Sequence, residues 1–179
     1  MSARSKLLSL VLRHAPERAG VTLDPQGWVE VEALLAGLAT RGEGMSRVEL
    51  EAIVRDSDKK RFTLSPDGER IRAAQGHSVG VELGLPDLAP PETLFHGTAE
   101  RSLAAILEQG LRPGARRKVH LSADRDTARR VGGRHGRPVV LTVAAGAMQR
   151  EGLRFQQAEN GVWLTDGVPP AYLAEDLSP

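Results

Sequence analysis

Residues 79–92, VGVELGLPDLAPPE, constrain this chain more than any other stretch. They hold three prolines and no helical period. Proline locks φ and has no N–H to donate, so neither a helix nor a central strand runs through such a segment. The stretch reads as a linker. It divides the 179-residue chain into residues 1–78 and 93–179, each the size of one small domain.

The first half carries helical signals and then a hairpin. Residues 5–14 read as a helix, with Leu7, Leu8 and Val11 on one face and Pro16 as the stop. Trp28-Val29-Glu30-Val31 alternates like a short strand and leads into an apolar helix over 32–38. Ser46-Arg47-Val48-Glu49 is a capping box that opens a third helix, to about residue 55. Residues 61–64 and 70–72 flank Ser65-Pro66-Asp67-Gly68, a β-turn signal. Three helices followed by a hairpin is the order of a winged-helix domain, an architecture that serves many functions.

The second half mixes short strands with helices. Residues 94–96 read as a strand, and 102–109 as a helix with Leu103, Ile106 and Leu107 on one face and Gly110 as its stop. A strand over 119–121 follows, with Ser122 placed to cap a helix over 123–131. Residues 138–144 read as a buried strand. Strands over 153–155 and 161–165 join across Glu159-Asn160-Gly161. The whole is an α+β protein.

Aromatic residues make up 3% of the chain, so its core rests on Leu, Val, Ile and Ala. With no cysteine there are no disulfides, thiolate metal sites or cysteine nucleophiles. The opening MSARSKLLSLVLRHAPE has an apolar run of only about six residues, shorter than a secretory signal needs. No run approaches the roughly 20 residues that span a bilayer. The expectation is a cytoplasmic protein with no membrane partner. Net charge is only +1, but residues 112–137 carry nine basic residues against Asp124 and Asp126. That concentration suits a polyanion, and equally a solvated basic helix face.

Four polar strings hold the candidate chemistry: RH at 13–14, KKRF at 59–62, FHGT at 95–98 and RRKVHLS at 116–122. None contains an acidic residue. Arginine and histidine together suit phosphate oxygens, which Arg binds as a planar fork. Each string also has a plainer reading. Arg13 and His14 complement a helix C-terminus, Arg61 is a charged edge residue, and His120 between Val119 and Leu121 is a core histidine. Gly97 after His96 lets backbone approach a ligand. Gln75-Gly76-His77-Ser78 reads as an ordinary loop. Phosphate-binding glycine loops, HExxH and GxSxG are all absent, and the histidines lack paired ligand spacing, so no metal is expected.

Taken in order, LSLVLRHAP, GWVEVEALL, KKRFTL, IRAAQGHSV, LFHGT, GLRPGARRKVHLS and NGVWLTDGVPPAYL make the chain resemble the RNA 2′-phosphotransferase family over nearly its whole length. The resemblance implies an N-terminal winged-helix lobe and a C-terminal ADP-ribosyltransferase-like lobe. It implies transfer of an internal RNA 2′-phosphate to NAD⁺. The family's Arg-His-Arg-Arg set falls on Arg13, His14, Arg61 and Arg116. The NAD⁺-binding positions fall on His96, Gly97, Thr98, His120 and Ser122. Related sequences read R-x-H-V-H-L-S, whereas here Lys118 stands at the first histidine and Arg117 is an alternative to Arg116. Val162 and Trp163 lie where many ADP-ribosyltransferases place a catalytic glutamate. A 2′-phosphomonoester is already anionic near neutrality, with a second pKa of about 6, and needs no base to prepare it.

The expected partner is a tRNA-like RNA with an internal 2′-phosphate, met by a monomer. Two other readings remain: an ADP-ribosyltransferase acting on terminal phosphates or another acceptor, and a non-enzymatic winged-helix regulator.

Overall fold

The first helix, α1 (Ala3–Arg13), begins where Ser2 accepts the Ser5 N–H on its side chain, and it buries Leu8, Val11 and Leu12 completely. This computed structural model describes residues 2–57, 59–134 and 136–177. The chain forms two units, residues 1–84 and 85–179, and the division falls inside the expected linker. Among the described residues no helix is long and apolar enough to cross a membrane.

In the first unit a 3₁₀ turn over Pro16–Ala19 follows α1, then β1 (Val29–Glu30), α2 (Val31–Ala39) and α3 (Arg47–Arg55). The capping box forms as the sequence reads: the Ser46 side chain accepts the Glu49 N–H, and the Glu49 carboxylate accepts the Ser46 N–H at 2.8 Å. β2 (Phe62–Leu64) and β3 (Arg70–Ala73) complete an antiparallel sheet in the order β1-β3-β2, with Val29 opposite Ile71 and Phe62 opposite Ala73. Leu8, Leu12, Leu34, Leu38, Leu50 and Ile71 meet beneath it. Gly37 is required here, because a Cβ would lie 1.9 Å from the Ala19 carbonyl oxygen. Arg72 is buried, stacked 4.4 Å from the Trp28 ring centroid, and donates to the Leu83 carbonyl at 3.2 Å. It thereby fastens the hairpin to the end of its own unit.

The second unit has two three-stranded antiparallel sheets. One runs β4 (Leu94–Ala99), β6 (Pro138–Val143), β9 (Leu173–Glu175); the other runs β5 (Val119–Leu121), β8 (Trp163–Thr165), β7 (Gln156–Gln157). A bridge between Phe95 and Ser122 ties them together, with backbone bonds of 2.9 and 2.8 Å. Helices α4 (Leu103–Gln109), α5 (Arg125–Gly132) and α6 (Ala145–Arg150) accompany them. Leu94, Leu121, Val143, Met148, Phe155 and Trp163 form the core. The architecture is α+β, built from small antiparallel sheets.

Several elements differ from the sequence reading. Ser122 does not cap α5: its backbone is taken up by the Phe95 bridge, and Asp124 accepts the Thr127 N–H at 2.7 Å instead. A carboxylate is the stronger partner for a helix N-terminus. The strand expected at 153–155 forms at Gln156–Gln157, and Phe155 points its bulk into the core. On α4 none of the apolar positions is fully buried, and Leu107 is exposed. Helix α6 and strand β9 have no counterpart in the sequence reading.

Candidate active site

In the first unit the site grows from the end of α1. Arg13 is the last helical residue, and His14 is the cap, donating its backbone N–H to the Leu10 carbonyl at 2.9 Å. The chain leaving β3 returns to this end. Ser78 N–H donates to the Arg13 carbonyl at 2.9 Å, and Val79 N–H reaches the same oxygen at 3.4 Å. These bonds satisfy an acceptor that a helix terminus leaves open. They also place Ser78 Oγ 2.8 Å from His14 Nδ1.

Arg61 is joined to this group. Arg13 Nη2 donates to the Arg61 carbonyl at 3.5 Å, and Ser57 Oγ accepts from Arg61 through the backbone N–H at 3.3 Å and Nη1 at 3.4 Å. Lys60, immediately before it, has a φ of 39°, and among the described residues it alone lies in the left-handed region without being glycine. That backbone costs about 1–2 kcal/mol and recurs at functional sites.

His77 is buried in the same loop. Burial first, then the positive charges of Arg13, His14 and Arg72, pushes its imidazole down to about 4, so it is neutral near pH 7. Its Nε2 is enclosed without a hydrogen-bond partner. An open groove of about 790 Å³ elsewhere on this unit is lined by Thr22, Asp24, Trp28, Arg41 and Arg70 and includes none of the site residues. Its charges of both signs give no net pull on a polyanion.

In the second unit His96 on β4 and His120 on β5 are held in fixed tautomers. His96 Nδ1 lies 3.1 Å from the His120 carbonyl. A carbonyl only accepts, so His96 carries its proton on Nδ1. Burial lowers its pKa against a smaller opposing effect of that bond, so neutral His96 keeps a lone pair on Nε2. His120 is the reverse. Arg116 Nη1 donates to His120 Nδ1 at 2.8 Å, and arginine has no lone pair to offer, so the proton of His120 sits on Nε2. Burial of its guanidinium end, then the charge of Arg134, lowers the Arg116 pKa, although the residue as a whole is exposed.

Lys118 donates to Asp166 Oδ1 at 2.5 Å. Gly97 is explained by packing: a Cβ there would lie 1.7 Å from the Ala128 carbonyl oxygen, so α5 rests directly on β4. Gly132 answers it from the helix side, with a Cβ position 2.7 Å from the Thr98 carbonyl. Thr98 is itself buried. The glycine read as an opening for a ligand is thus needed first by the fold.

The structure therefore brings Arg13, His14 and Arg61 together in one unit, and His96, His120 and Arg116 together in the other, with Ser122 joined to the second group through Phe95. Sequence reasoning missed Ser57, Ser78 and Asp166. The sequence reading takes the string around Ser78 as an ordinary loop. Among the described residues, no three His, Asp or Glu side chains converge as a metal-ligand set.

A profile described as "RNA 2′-phosphotransferase, Tpt1 / KptA family" matches residues 1–167. A protein of Agrobacterium fabrum named "Probable RNA 2′-phosphotransferase" is 62% identical over 172 residues, 96% of this chain and 92% of its own length. Proteins with the same name from Streptomyces griseus and Pseudomonas aeruginosa are 55% and 53% identical. They cover 94% and 96% of this chain, and 93% and 94% of their own lengths.

Proposed function

The chain belongs to the RNA 2′-phosphotransferase family, and from that premise we propose that it transfers an internal RNA 2′-phosphate to NAD⁺. In this reading the first unit is a winged-helix lobe that holds the phosphate, and the second is an ADP-ribosyltransferase-like lobe that holds NAD⁺. The protein acts as a cytoplasmic monomer on a tRNA-like RNA.

The reaction proceeds in two steps. A non-bridging oxygen of the 2′-phosphate attacks C1″ of the nicotinamide ribose, and the C1″–nitrogen bond breaks with its electron pair leaving on nicotinamide. The ribose 2″-hydroxyl then attacks phosphorus and releases its proton to solvent. The bond from phosphorus to the RNA 2′-oxygen breaks, and that oxygen takes a proton from His14. The products are 2′-hydroxyl RNA, ADP-ribose 1″,2″-cyclic phosphate and nicotinamide.

The observation that carries this reading is the joined Arg13–His14–Arg61 group at the end of α1. Two arginines there can fork phosphate oxygens. His14 can supply a proton because an imidazole titrates near working pH. Arg61 and Arg116 stabilise charge that grows on the phosphoryl oxygens. Arg116 is read as carrying the third arginine role, with its guanidinium donating to His120 Nδ1. The NAD⁺ positions are His96, Gly97, Thr98, His120 and Ser122. His96 offers an acceptor and His120 a donor, a pairing that suits hydroxyl and phosphate groups of a dinucleotide.

One incubation tests the reading: the protein with NAD⁺ and an RNA bearing an internal 2′-phosphate. The expected result is loss of that phosphate with release of nicotinamide and ADP-ribose 1″,2″-cyclic phosphate. No consumption of NAD⁺ would favour a winged-helix regulator. An ADP-ribosylated product that never resolves would favour transfer to another acceptor.

A further inference from the structure

The loop over residues 75–78 reads as ordinary in the sequence, yet it brings a side-chain hydroxyl to the His14 ring. Two bonds from this loop meet one helix end. Ser78 N–H fixes its own backbone to the Arg13 carbonyl, and Ser78 Oγ lies 2.8 Å from His14 Nδ1. The loop is held from behind by buried His77 and turns through Gly76 at a φ of 88°. The hydroxyl is therefore placed by backbone, not by a flexible side chain searching for a partner.

We propose that Ser78 is the positioning residue for His14, holding the ring through Nδ1 so that Nε2 is the nitrogen that exchanges a proton with the RNA 2′-oxygen. This rests on the functional reading above.

The chemistry of the pair supports that role. A serine hydroxyl both accepts and donates, so it tolerates either state of an imidazole. When His14 is an imidazolium, Nδ1–H donates to Ser78 Oγ and the cation is stabilised. When Nε2 then gives its proton to the departing 2′-oxygen, Nδ1–H still donates to Oγ. The same hydrogen bond survives both states, and no group rearranges as the proton leaves. The guanidinium that fixes His120 lacks this latitude, because it cannot accept from a protonated Nδ1. Ser78 touches no reacting atom, so its effect passes through the ring alone.

The test uses the full chain with Ser78→Ala and Ser78→Thr. The isolated RNA-2′-phospho-ADP-ribose intermediate is allowed to decay in a single turnover across the neutral pH range. Ser78→Ala should slow this decay ~10–100-fold, the scale of a misoriented catalytic group. Formation of the intermediate and the unfolding midpoint should stay near the parent values. Ser78→Thr, which keeps the hydroxyl, should recover most of the rate. Imidazole nitrogen NMR should show His14 losing its Nδ1–H preference in Ser78→Ala, with its titration moved to lower pH. On a His14→Ala background, Ser78→Ala should add nothing. Additive losses, an unmoved His14 tautomer and titration, or a threonine variant no better than alanine would each overturn the proposal. If the unsubstituted chain leaves the RNA untouched, the functional reading has failed; the NMR arm still decides the Ser78–His14 pairing by itself.

Discussion

The two units treat their histidines in opposite ways. In the first, His14 is exposed and its Nδ1 lies 2.8 Å from the Ser78 hydroxyl, a group that can accept or donate. In the second, His96 is tied to a carbonyl and His120 to a guanidinium, so each neutral ring has one tautomer. A group that moves a proton must be able to exist in two states. A group that recognises a ligand gains from having one, because donor and acceptor are then in place before the ligand arrives. The contrast accords with the roles proposed above, His14 reacting and His96 and His120 recognising NAD⁺.

The sharpest way to break this contrast is to remove the adaptable histidine. His14→Ala should slow breakdown of the intermediate by ~10²–10⁴-fold, the usual worth of a positioned acid, while binding of NAD⁺ is kept. A single-turnover assay started from the isolated intermediate reads this directly. An unchanged rate would place His14 with the recognising group.

Arg116→Ala should come next, with a loss of ~10²–10³-fold, the scale for removing one electrostatic stabiliser. Arg117→Ala should fall far short of that, and Arg116→Lys should recover little because an ammonium has no fork. Steady-state rates of nicotinamide release compare the three. If Arg117→Ala were the more damaging change, the anchoring of Arg116 on His120 would be structural only.

The third prediction concerns stability. The folded pKa of His77 is depressed to about 4 from 6.5, so between these values the unfolded chain binds the extra proton. Stability of the first unit should therefore be intact above about pH 6.5 and decline as pH falls toward 4. The loss should be on the order of 3 kcal/mol at the acid end. Urea unfolding at neutral and mildly acidic pH measures it, and His77→Leu should flatten the slope. A slope that persists in that variant would assign the acid sensitivity to another group.

The smallest effect separates packing from binding. Gly97→Ala should destabilise by about 1–3 kcal/mol, because the new methyl meets the backbone of α5. A thermal midpoint lowered to that extent, with NAD⁺ affinity kept in the fraction still folded, would make Gly97 a packing residue. Lost affinity at unchanged stability would return it to the ligand site.

Much of the fold was legible because its signals are local. The Ser46–Glu49 capping box, the Ser65-Pro66-Asp67-Gly68 turn and the Gly110 stop each act within a few residues, and each formed. The misses have physical causes. Asp124 outcompeted Ser122 as a cap because the Ser122 backbone was already paired with Phe95. Helix α6 is six residues with no apolar period, and β9 is a three-residue strand at a sheet edge. Neither leaves a pattern strong enough to read. At the site, the Arg and His strings were visible, but Ser57 and Ser78 were not, since serine is common in any loop.

By itself, then, the sequence determined the division at the prolines, the elements with caps and turns of their own, and the residue types that suit phosphate. Only the tertiary structure decided which atoms hold them. Ser78 lies 64 positions from His14, Arg61 lies 48 from Arg13, and the carbonyl that orients His96 lies 24 away. A hydrogen bond depends on distance and direction in space, and contacts across such separations exist only once helices and sheets have packed. The chain could announce its histidines; the fold chose which atoms each ring would meet.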